Sequence, residues 1–121
     1  MKLSGFLALA LALMLAGTMA PRPALSEGAI TAARDGQVGL SYNYPGRQRA
    51  EERAFEECGR GCRLIATFRR TCAAVATAER SGFGWATRDN LRRAEEAALE
   101  SCAKEAGHRC RIAARGCDER G

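Results

Sequence analysis

The sequence predicts an α+β fold: a duplicated ββαβ unit with pseudo-twofold symmetry, an antiparallel sheet with two helices packed against it, and disulfides as staples. Three observations predict it. Arg49-Ala50-Glu51-Glu52-Arg53-Ala54-Phe55-Glu56-Glu57-Cys58 agrees with Arg93-Ala94-Glu95-Glu96-Ala97-Ala98-Leu99-Glu100-Ser101-Cys102 at seven of ten positions. The match continues collinearly on both sides: Ala29-Ile30-Thr31-Ala32-Ala33 aligns with Ala74-Val75-Ala76-Thr77-Ala78, Val38-Gly39-Leu40 with Phe83-Gly84-Trp85, and Cys62-Arg63-Leu64-Ile65-Ala66 with Cys110-Arg111-Ile112-Ala113-Ala114. Six cysteines, all at or beyond position 58, are distributed over the two copies. Collinear self-similarity of this kind is the signature of a duplicated unit, here about 45 residues long.

The chain opens with a segment that does not read as part of the repeat. Lys2 supplies a positive start, Phe6 to Ala20 is an uncharged, largely apolar run, and Pro21 and Pro23 follow it directly. That pattern predicts a secretory signal peptide over residues 1–26, with cleavage after Ser26 preferred and cleavage after Ala20, which leaves Pro21 just past the scissile bond, as the alternative. The run is short of the roughly 20 apolar residues a membrane span needs. No cysteine lies in this segment to be lipidated. The mature domain is then 27–121, in two repeats of about 28–72 and 73–117, and its net charge falls from the +5 of the full chain to about +3.

Each repeat predicts the same elements. Strands Ala29 to Ala33 and Val38 to Tyr42 flank Arg34-Asp35-Gly36-Gln37, and Ala74 to Ala78 and Phe83 to Thr87 flank Glu79-Arg80-Ser81-Gly82. Both connections have hairpin length and turn chemistry. A helix follows, because Ala50, Ala54, Phe55 and Cys58 recur at i, i+4, i+5 and i+8, as do Ala94, Ala98, Leu99 and Cys102, giving one narrow apolar face. Pro45-Gly46 starts the first helix and Asp89 or Asn90 caps the second. A return strand, Arg63 to Phe68 or Arg111 to Arg115, closes the unit. Neither half has the apolar surface to stand alone, so both are expected to share one sheet and one core.

The cysteines read as disulfides of an oxidising compartment, which is expected to be the periplasm or the extracellular space. A zinc site would call for CxxC pairs or interleaved histidines, whereas the spacings are x3 and x9 in one copy, x7 and x6 in the other, with a single histidine. Return strands running back along their helices predict local bridges Cys58 to Cys62 and Cys102 to Cys110, leaving Cys72 and Cys117 to pair and tie the two units together. The symmetric scheme, Cys58 with Cys102 and Cys62 with Cys110, requires the helix ends to meet.

Gly28-Ala29-Ile30, Tyr42-Asn43-Tyr44-Pro45, the Ala/Glu-rich helix ending in Cys58, Cys72-Ala73-Ala74-Val75-Ala76, Phe83-Gly84-Trp85 and the second helix ending in Cys102 occur here in that order. Together they resemble the bacterial family described as domain of unknown function 4189, over essentially the whole mature chain. One departure is Glu27, which stands where an aromatic often precedes the Gly-Ala-Ile segment. The resemblance implies a small exported protein of this fold and implies no reaction.

Nothing in the residues composes a catalytic site or a cofactor motif. His108 lies in the longer helix-to-strand loop, and as a general base it would need Ser41, Ser81 or Ser101 within reach, which the spacing does not provide. Glu52 with Glu56 and Glu96 with Glu100 stand at i, i+4 on the charged helix faces, where arginines can screen them. Cys58 and Cys102 sit toward the carboxyl ends of helices, where the dipole disfavours a thiolate. The scattered basic residues give little support to a nucleic-acid partner. What remains is a candidate binding patch of Tyr42, Asn43, Tyr44 and Trp85, brought together by the pseudo-twofold, since aromatic residues often carry interface affinity. The leading expectation is a non-catalytic exported binding module acting on an unidentified protein or envelope component, without cofactor; the alternative is a small secreted effector or hydrolase using His108.

Overall fold

The computed structural model describes residues 26–79, 82–107 and 109–119. Two ββαβ units follow one another. The first contains β1 (Ser26–Ala32), β2 (Val38–Pro45), α1 (Arg47–Cys58) and β3 (Arg63–Phe68); the second contains β4 (Cys72–Thr77), β5 (Phe83–Arg88), α2 (Leu91–Ala106) and β6 (Arg111–Cys117). All pairings are antiparallel, in two three-stranded sheets of order β2-β1-β3 and β5-β4-β6. The expected single shared sheet is therefore corrected to two, each belonging to one unit.

Strand alternation explains why two sheets suffice. In β1, Ala29 and Thr31 face α1: Ala29 packs with Ala50 and Ala54, and the Thr31 hydroxyl donates to the Ala54 carbonyl at 2.8 Å. Ile30 points the other way, into a core shared with Leu40 and Phe68 of its own sheet and Ala73 and Val75 of β4. In β4, Ala74 and Ala76 complete a separate cluster with Ala94, Ala98 and Cys102 of α2. The layers thus run helix, sheet, sheet, helix, and Ile30 and Val75, equivalent in the repeat, meet at the centre.

The helices lie unusually close to their sheets. A Cβ at Gly39 would overlap the Ala54 carbonyl oxygen, and one at the equivalent Gly84 would overlap the backbone nitrogen of Cys102. With so little depth, the buried residues of the helices are Ala50, Ala54 and Cys58, and Ala94, Ala98 and Cys102. Phe55, expected on the apolar face of α1, is 37% exposed for the same reason. Asn90 caps α2, its side-chain oxygen accepting from the Arg93 amide at 2.9 Å, whereas Gly46 starts α1 without a side-chain cap. The helix carboxylates pair locally, Arg47 with Glu51, Arg53 with Glu56 and Glu57, Arg92 with Glu96 and Lys104 with Glu100.

Three disulfides join Cys58 to Cys62, Cys102 to Cys110 and Cys72 to Cys117. The last departs from expectation in what it connects. Cys72, placed at the end of the first repeat by the sequence, opens β4 and faces Cys117 across the β4–β6 ladder, so the bridge lies within the second sheet rather than between the units. The signal peptide expected over residues 1–26 lies outside the described residues apart from Ser26, which is the first residue of β1. There it pairs with Pro45 and its hydroxyl donates to Asp118 at 3.3 Å. No helix among the described residues is long and apolar enough to cross a membrane.

Candidate functional site

The two edges of the sheet pair differ, and the difference creates the site. At one edge β2 lies against β6, with the Tyr42 ring on Gly116, where a Cβ would overlap the ring. A polar clamp completes this edge. The Asp118 carboxylate, 1% exposed, accepts from the amides of Asn43 at 2.9 Å and Arg70 at 3.1 Å, and the Asn43 side-chain oxygen accepts from the Glu119 amide at 3.0 Å. Asn43 holds a left-handed backbone, φ 62°, to make both contacts.

The opposite edge has no such closure. The repeat equivalents of Tyr42 and Gly116 are Thr87 and Phe68, and Phe68 turns inward over Gly28 instead of bridging the sheets. Strands β3 and β5 do not approach as β2 and β6 do, and a cavity of about 480 Å³ remains, lined by Arg34, Arg63, Gly82, Phe83, Trp85, Ser101 and Glu105. It continues on both sides. Trp85, Ser101 and Glu105 also line a cavity of about 380 Å³ with Thr87, Arg88, Ala97, Glu100 and Lys104. Arg34 and Arg63 also line one of about 390 Å³ with Asp35, Arg60 and Gly61. The three form a track along β5, past the tryptophan and onto the loops after β1 and α1.

Trp85, the only tryptophan of the chain, stands at the middle of this track and is 36% exposed. Its repeat equivalent, Leu40, is buried in the core. Arg34, Arg60 and Arg63 form no ion pair with any described residue, in contrast to Arg47, Arg53, Arg69, Arg92, Arg93 and Arg115. A half-exposed indole beside free guanidinium groups offers an apolar platform and forked donors for a carboxylate or a phosphate. The Ser41 hydroxyl donates to the Ala50 carbonyl at 2.6 Å and is buried beneath α1.

The chain matches the model of a family described as a domain of unknown function, DUF4189, over residues 28–117. The chain belongs to that family. The matched span takes in both units and every residue named along the track, and it stops one residue short of Asp118. Neither curated proteins nor solved structures show a match to the chain.

Of the four residues predicted as one patch, Trp85 alone reaches the track. Tyr42 and Asn43 serve the closed edge, and Tyr44 packs partly buried against Ala29, Ala50 and Ala54 under α1. The patch as a unit is therefore corrected to a groove around Trp85. His108, like Ser81, lies outside the described residues. The arginines of the groove were missed because in sequence they are scattered, at the hairpin after β1, the turn after α1 and the start of β3. A signal was present nonetheless: where the repeat has aliphatic Leu40, the second copy has an indole too large for the equivalent space.

Proposed function

We propose that the protein is an exported, non-catalytic binding module of the periplasm or extracellular space, whose ligand seats against Trp85 in the groove between β3 and β5. The observation that carries the reading is the open edge itself, where an indole and two arginines without ion-pair partners among the described residues line a cavity of about 480 Å³, and Arg60 lines its continuation. Disulfides and the leader-like start of the sequence support the compartment. The partner is a protein or an envelope component.

The test is retention of envelope and culture-medium fractions on the immobilised oxidised protein. A component retained saturably by the parent is expected to be lost by Trp85→Ala and by Ser101→Arg, which fills the groove from α2 without touching the core. Equal retention by both variants, at unchanged thermal midpoint, removes the groove from the reading. Turnover of the retained component by the parent removes the non-catalytic part.

A further inference from the structure

The geometry points to an acidic peptide in extended conformation as the ligand, added as a fourth strand along the free edge of β5; the inference rests on the groove being the binding site. β5 is hydrogen-bonded to β4 on one side only, and no described backbone group pairs with its outer edge. An unpaired edge is a template for another strand. Here two adjoining cavities run beside it. One holds the Lys104–Glu100 pair, at 4.0 Å, the other Phe83, Arg34 and Arg63, and Trp85, Ser101 and Glu105 line both.

A strand sends successive side chains to opposite faces. One laid along β5 past Trp85 would turn one set of alternate residues toward the two arginines and the other toward the Lys104–Glu100 end of the groove. Carboxylates suit the first set, because Arg34 and Arg63 form no ion pair with a described residue, outnumber the one carboxylate of their cavity, Glu105, and each can donate two hydrogen bonds to a carboxylate. Small hydroxylated side chains suit the second. Arg88 at the end of β5 and Arg63 at the start of β3 also guard these edges against a second copy of this basic chain, while favouring an acidic strand. A chain of acidic sugars would satisfy the arginines but lacks the regular alternation of N–H and C=O that matches a strand edge, which is what places the peptide first.

The experiment uses the oxidised full chain and a capped octapeptide alternating glutamate and threonine. Binding is followed by emission of Trp85, the chain's single tryptophan, and by protection of the β5 amides from hydrogen exchange. A saturable change is expected with this peptide and not with its lysine counterpart, nor with the same peptide N-methylated at alternate residues. Arg34→Ala with Arg63→Ala should weaken it about tenfold or more, the equivalent of about 1.4 kcal/mol. Equal binding of the N-methylated peptide overturns strand addition. A response to polygalacturonate with none to the glutamate peptide overturns the ligand class but leaves the groove as the binding site. Silence toward every probe overturns the inference, while the Trp85→Ala retention experiment decides the groove separately.

Discussion

The Asp118 carboxylate gathers three donors from three separate segments: the Ser26 hydroxyl, the Asn43 amide and the Arg70 amide. Its own amide donates to the Thr71 carbonyl at 2.9 Å. It therefore ties β1, β2, the β3–β4 turn and the end of β6 at one point, and it does so while 1% exposed. Removing the acceptor while the buried donors stay leaves them unsatisfied, so Asp118→Ala should lower unfolding free energy by about 2 to 4 kcal/mol, measured by urea titration. Asp118→Asn keeps one carbonyl oxygen and should cost less, about 1 to 2 kcal/mol. Loss of equal size in the two variants would mean that the charge rather than the acceptor geometry matters. Sequence reasoning had no view of this residue, which falls just outside the repeat and carries no motif. Asn43 was more legible than its assigned role: asparagine tolerates a left-handed backbone better than most residues, a turn-forming property that competes with the ligand-contacting one.

At the scale of elements, the two helices and six strands follow from period and repeat, because local pattern decides element type when both copies agree. What period did not convey was depth. Gly39 and Gly84 sit at equivalent positions and admit the helices so closely that only alanine and cysteine fit beneath, which is why the alanine face was legible and the exposure of Phe55 was not. Gly39→Ala and Gly84→Ala should each cost about 1 to 3 kcal/mol through forced displacement of the helix. Gly116→Ala, which displaces a partly exposed tyrosine ring instead of backbone, should cost less. Circular-dichroism melts of the three variants test the order, and a harmless Gly84→Ala would contradict it. The first strand bears on processing too. Ser26 is 5% exposed and paired within β1, so a product that keeps it retains a donor to Asp118. If the chain is processed on export, intact mass distinguishes the expected start at Glu27, which leaves β1 to close without its first residue, from the alternative start at Pro21, which keeps the Ser26 contact to Asp118.

For the molecule as a whole, duplication predicted two similar halves, and the symmetric reading then placed both units in one sheet with their aromatic residues together. Pairing stayed within each unit instead, because each hairpin and its own return strand already complete a three-stranded sheet, and the remaining apolar faces meet through Ile30 and Val75. The same arrangement explains why the groove was hidden: it arises from unequal substitution at equivalent edges, Tyr42 on Gly116 at one and Thr87 with Phe68 at the other, and depends on which strands become neighbours. It also changes the meaning of the long-range disulfide. Joining β4 to β6 at Cys72 and Cys117, the bridge closes a 45-residue loop containing β5 and α2, the two elements that form one wall of the groove. On a chain-entropy account this closure contributes about 4 kcal/mol, against about 2 for Cys58–Cys62 and about 2.6 for Cys102–Cys110. Cys72→Ala with Cys117→Ala should accordingly lower the urea midpoint more than Cys58→Ala with Cys62→Ala. If the bridge also holds the groove wall, hydrogen exchange in β5 should accelerate more than in β1. A Cys72, Cys117 double variant as stable as the parent would show that the β4–β6 ladder and the Asp118 clamp alone hold the second sheet closed.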